Sequence, residues 1–153
     1  MNNRFSDTVL EMLKEAGWFP GRNVIDTVEL PKEYEIFPAA IEALMEFGHL
    51  QVGQDAPGIE CARSIIVFEP TLSSGAWDWC LIYSKLLGTD LYLLGEVDNQ
   101  NIHLAIDPQG RVFLVSQDLM FVDDNFDTAL EKIVAGIRVR LIDDDGELAD
   151  YIP

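Results

Sequence analysis

Basic residues are scarce in this chain. It has 10 Lys plus Arg against 27 Asp plus Glu, a formal net charge of −17 over 153 residues. A surface of that sign repels phosphate backbones and anionic bilayers and draws basic partners from a distance. Nucleic acid and membrane are therefore excluded as partners. Cysteine is nearly absent too. Cys61 and Cys80 alone make no disulfide framework and read as two buried thiols. No apolar run approaches the ~20 residues that span a bilayer. Met1 to Arg4 leads into a charged amphipathic segment rather than the apolar stretch of a signal peptide, so a cytoplasmic protein is expected. There is no internal repeat and no linker rich in Pro or Ser.

The chemical motifs are also missing. No phosphate-cradling glycine loop is present, so nothing supports nucleotide binding. His49, His103, Cys61 and Cys80 lack the paired spacing of zinc ligands. The run Asp143-Asp144-Asp145-Gly146 resembles a calcium loop only superficially. Its Gly comes three residues after the first Asp, and no Glu stands at the twelfth position. Asp123-Asp124-Asn125-Phe126-Asp127 fails likewise, having no Gly at the turn. Ser73-Ser74-Gly75 is not a nucleophile elbow, and His103 lies mid-strand as a structural histidine. The expectation is no metal, no cofactor and no catalytic residue. A carboxylate pair acting as a hydrolase is the one enzymatic alternative that 27 acids leave open.

What is present is a core. Hydrophobic residues make up 48% of the chain, with eight Phe, four Tyr and three Trp, far more than an acidic disordered tail carries. A chain of this length buries roughly 70% of its unfolded surface. Ser6 N-caps a first helix that runs to Ala16, where Gly17 fits the C′ position. The Gly17–Arg22 segment is a compact aromatic turn, and Asn23 to Lys32 is extended or briefly helical. Pro38 opens a second helix that ends at Gly48, with Ile41, Leu44 and Met45 inward. Leu50–Val52 and Ala62–Phe68 read as strands. Trp77 to Leu87 is a third helix, apolar almost all round and so expected to be buried. Leu91–Val97, Ile102–Ile106 and Val112–Val115 are strands whose short connections force an antiparallel meander. Ile102, Leu104 and Ile106 take one face and Phe113 and Val115 the other, so part of the sheet is covered on both sides. Leu119–Val122 adds a strand, and Asn125 or Asp124 caps a last helix, Phe126 to Ala135. The expected fold is α+β, a single domain over 1–140. Its twisted, mainly antiparallel sheet has about five to six strands flanked by helices. Residues 141–153 are expected to form a solvated acidic tail.

The meander places the turn after Val97 and the exit after Val115 at the same end of the sheet. Glu96, Asp98 and Asp118 then form an acidic rim, with Asp123 added as a fourth partner-binding candidate after the next strand.

Several segments carry a resemblance. They are Leu13-Lys14-Glu15-Ala16-Gly17-Trp18-Phe19-Pro20-Gly21-Arg22, then Ala43-Leu44-Met45-Glu46-Phe47-Gly48-His49-Leu50, then Leu87 to Glu96, then Leu104 to Val112. In order and spacing, over roughly residues 5 to 136, they resemble the SUKH superfamily of bacterial immunity proteins, in particular its third subgroup. The Gly-Trp-Phe-Pro-Gly-Arg run is the most specific piece. His49 stands where that family usually shows Gly, and Leu93 where Pro is common. The resemblance implies a SUKH-like α+β domain and a non-enzymatic antitoxin that needs no cofactor. Such a protein neutralises a cognate polymorphic toxin, often a nuclease or deaminase, which the charge here expects to be basic. It also implies that Gly17, Trp18 and Gly21 are structural. A regulatory or adaptor protein with a cellular partner is the alternative.

Overall fold

In the computed structural model, residues 4–54, 56–98 and 102–151 are described. They form an α+β domain built on one antiparallel meander. Helix α1 spans Asp7–Ala16, α2 Pro38–Phe47, α3 Trp77–Leu87 and α4 Phe126–Ala135. The strands are β1 (Gln51–Val52), β2 (Ile66–Val67), β3 (Tyr92–Val97), β4 (Ile102–Ile106), β5 (Val112–Val115), β6 (Leu119–Asp123), β7 (Arg140–Ile142) and β8 (Leu148–Tyr151). They line up in chain order, each antiparallel to the next, in one eight-stranded sheet. That exceeds the five to six strands expected, because residues 140–151 form a further hairpin in place of a tail. Two 3-10 segments, Ile25–Thr27 and Pro70–Ala76, complete the elements. No helix among the described residues is long and apolar enough to cross a membrane.

The helix ends follow local chemistry. The Ser6 hydroxyl accepts from the Val9 amide, and Gly17 closes α1 in the left-handed region at φ 111°. Pro38 occupies the first turn of α2. Asn125, rather than Asp124, caps α4 by accepting from the Thr128 amide. The buried face of α2 is Ala40, Ala43, Leu44 and Phe47; Ile41 and Met45 are only half-buried.

The central strands are covered on both faces, as their composition requires. Every residue of β3 and β5 is buried, and all of β4 except half-buried Ile102. The register pairs Leu104 with Leu114 and Ala105 with Phe113, so Phe113 and Val115 face away from Ile102, Leu104 and Ile106. One aromatic cluster joins Phe5, Trp18, Phe47, Phe68 and Phe126. A second stacks Tyr34 on Trp77, which meets Tyr92 edge-on. β2 pairs with only the last two residues of β3. The Pro70–Ala76 segment packs along the remainder of β3, and the Ser73 hydroxyl donates to the Gly95 carbonyl.

Three expectations are corrected here. The acidic run 143–147 is not a solvated tail but the turn between β7 and β8. The Asp143 carboxylate accepts from the Asp145 and Glu147 amides, which locks the turn locally. Helix α3 is not buried all round: Trp77 and Cys80 are inside, while Leu81 and Ile82 are 55% and 60% exposed. Cys80 is the only buried thiol of the two, and burial pushes it up to about 12; Cys61 lies exposed in the loop over the end of α4. That loop is tied down rather than free. The amides of Ile59, Glu60 and Cys61 donate to the Ala135 and Gly136 carbonyls, leaving no room for a side chain at Gly136, whose Cβ would lie 2.3 Å from the Cys61 oxygen.

Candidate functional site

The two most recognisable motifs bind each other. Trp18 is buried, and its indole Nε1 donates to Oε2 of Glu46 at 2.9 Å. Arg22, at the end of the same turn, donates to the carbonyls of Glu46 and Gly48, which end α2. Arg4 then bridges Glu46 and Asp127 through both edges of its guanidinium. Hydrogen bonds to Asp127 and Glu46 hold its charge more firmly than burial opposes it. These residues fix the aromatic turn, α2 and α4 to one another.

His49 follows Gly48 at φ 71°, a conformation that favours glycine. Its imidazole spans Glu69 and Thr27. A glycine would sit here without strain, whereas His49 trades that ease for its two side-chain hydrogen bonds.

The four acids do not converge. Glu96 pairs with His103, His103 with Val115 and Val115 with Leu119, so one row crosses the sheet just short of the Asp98 and Asp118 turns. Strands lie about 4.8 Å apart, which sets Glu96 and the β6 start roughly 14 Å apart. Glu96 itself is 8% exposed, and its Oε2 has no protein partner among the described residues. Burial raises its carboxyl above the ordinary value. Asp98 is half-buried, at φ 53°, and accepts from the Ser64 hydroxyl; the rest of its turn, 99–101, lies outside the described residues. Asp118 is exposed. Asp123 pairs with Val112, at the opposite end of the sheet, and binds Lys132 Nζ at 2.8 Å. Although burial opposes it, the Lys132 and Asn125 hydrogen bonds hold the Asp123 carboxyl low.

The structure adds what the sequence reading lacked. The Tyr83 hydroxyl donates to the Ser116 and Gln117 carbonyls, fastening α3 beside the β5–β6 turn. Burial raises the Tyr83 phenol, with the negative fields of Asp118 and Asp144 adding to it. The β7–β8 turn reaches the same helix, since a Cβ on Gly146 would stand 3.1 Å from the Leu86 carbonyl. Asp118 and the acids of that turn therefore border α3, whose outer face carries Leu81 and Ile82. The alternation from Ile137 to Leu141 and the Asp145-Gly146 pair mark that hairpin in the sequence.

One buried constellation has the residue types of a hydrolase. Ser73 Oγ lies 2.8 Å from Nδ1 of His103, which pairs across the sheet with Glu96. Ser73 is wholly buried, and its hydroxyl proton goes to the Gly95 carbonyl. Nδ1 of His103 must then carry a hydrogen and donate to Ser73. Burial lowers the His103 pKa and keeps the ring neutral. No substrate reaches this serine in the observed packing, so the arrangement acts as a hydrogen-bonded clasp on β3 and β4. Among the described residues, no three His, Cys, Asp or Glu side chains gather as ligands to a metal.

No curated protein and no solved structure matches the chain. The model of the SUKH-3 immunity protein family matches residues 5–136, from the segment before α1 to the glycine that ends α4. That match covers most of the sequence and both mutually bonded motifs, so the chain belongs to the SUKH-3 immunity protein family.

Proposed function

We propose that this protein is a stoichiometric antidote. It binds a cognate toxin, a basic protein such as a nuclease or deaminase, and blocks it without chemistry of its own and without a cofactor. The observation that carries this reading is family membership over residues 5–136. The charge supports the nature of the partner. A nuclease needs a basic surface to hold phosphates, and an inhibitor at −17 is steered to such a surface at a rate that salt suppresses. Exposed Asp118 contributes to that attraction directly, and Asp98 and Asp123 contribute through the overall field. Glu96, being buried, acts in the fold rather than at first contact. The site of action is the cytoplasm, where the toxin would otherwise attack its producer.

The test is reconstitution with the toxin domain encoded beside this chain's gene. The purified pair should elute as a complex and titrate to a one-to-one end point, with toxin activity abolished there. A toxin left fully active beside excess protein would sink the reading.

A further inference from the structure

Helix α3 is fastened to the domain at Trp77, Cys80 and Tyr83, yet it turns two large aliphatic side chains to solvent. Leu81 and Ile82 are 55% and 60% exposed, and Asp78 and Lys85 lie exposed one turn to either side of them. These adjacent aliphatics at mid-helix are each more than half exposed among the described residues. A charged or polar residue would serve solubility better at both positions, so the patch has the marks of an interaction surface. Its surroundings are acidic. The Tyr83 hydroxyl of the same helix sits on the Ser116 and Gln117 carbonyls, beside Asp118, and Gly146 of the Asp144 turn abuts Leu86. An apolar centre with a charged rim is the usual anatomy of a protein interface.

The occupant follows from charge. A second copy docking through this face could pair Lys85 with Asp78, but it would bring Asp118 and Asp144 toward like charges in a molecule already at −17. A basic partner with its own apolar patch meets the same rim favourably.

We infer that the outer face of α3, centred on Leu81 and Ile82 and rimmed by Asp118 and the β7–β8 turn, is where the basic toxin docks. This rests on the antidote reading above.

The experiment uses the full chain and, as probe, a catalytically inert form of the toxin domain encoded by the adjoining reading frame. Leu81→Ser with Ile82→Ser should weaken the complex on the order of tenfold or more, as loss of an interface centre does, with the melting temperature unchanged. Asp118→Asn with Asp144→Asn should slow association at low salt and flatten its salt dependence. Phe19→Ser is the control, an exposed aromatic on the turn after α1, and should bind as wild type does. If wild type binds and the Leu81/Ile82 variant binds within about twofold of it, the docking face is elsewhere while the antidote reading stands. If wild type does not bind, the antidote reading falls and this inference with it. Sedimentation that shows wild-type dimers abolished by Leu81→Ser/Ile82→Ser would assign the face to a second copy and overturn the inference.

Discussion

Nε1 of Trp18 and Oε2 of Glu46 are hydrogen-bonded at 2.9 Å, 28 residues apart in sequence. The bond joins the turn after α1 to the last turn of α2, and the same carboxylate receives two donors from Arg4. Trp18→Ala should cost roughly 3–5 kcal/mol, because a large buried side chain leaves a cavity. Trp18→Phe keeps most of the bulk and should cost about 1.5–3 kcal/mol through the lost bond to a charged acceptor. Denaturant midpoints for the two variants check the order. A Trp18→Ala protein that melts normally yet loses its partner would make the indole a contact instead.

At His49 two small effects oppose each other. A non-glycine residue in the left-handed region costs about 1–2 kcal/mol, and the pairing of His49 with Glu69 returns about 0–1 kcal/mol at such exposure. His49→Gly should therefore be neutral to slightly stabilising. His49→Ala keeps the strain and loses the pair, so it should be the less stable of the two by about 1 kcal/mol. Equilibrium unfolding in urea would decide, and Ala more stable than Gly would remove the conformational account.

The buried cross-strand neighbours His103 and Glu96 carry opposite pH signatures. The lowered His103 pKa contributes stability above its ordinary 6.5, lost as pH falls below that value and the buried ring must charge. The raised Glu96 pKa contributes stability below its ordinary 4.5, lost as pH rises through the folded value. Glu96→Gln should accordingly stabilise the protein at neutral pH, with the gain vanishing near pH 4.5. His103→Gln should flatten the decline below pH 6.5. Thermal melts of both variants across pH 4–8 measure these slopes. Parallel profiles for wild type and both variants would contradict the assigned burial.

The β7–β8 turn is held by Asp143, whose carboxylate takes two amides. Asp143→Ala should cost about 1–2 kcal/mol through those bonds. Amide exchange should rise first in residues 140–151, ahead of the central strands. Unaltered exchange there would mean that strand pairing, not the turn, sets the hairpin's stability.

Local signals were the legible ones. Ser6, Gly17, Pro38, Asn125 and Gly136 mark helix ends by their own chemistry, and the alternation in β3 to β5 predicts a meander covered on both faces. What stayed hidden depends on distant partners. Composition puts Leu81 and Ile82 inside, but Tyr83 fastened to Ser116 and Gln117 rotates them outward. The triple-Asp run reads as solvated because its charge masks a turn that the Asp143 carboxylate holds through two backbone amides. Hairpin connectivity places Glu96 and Asp118 at one end of the sheet correctly. It is silent on burial, which separates the internal Glu96 from the exposed Asp118.

The decisive measurement is titration of a candidate toxin domain from the adjoining reading frame with this protein, following the toxin's own activity at several salt concentrations. Inhibition should be complete at one equivalent, with an association rate that falls steeply as salt rises. Toxin activity that persists beyond one equivalent at low salt would overturn the antidote reading.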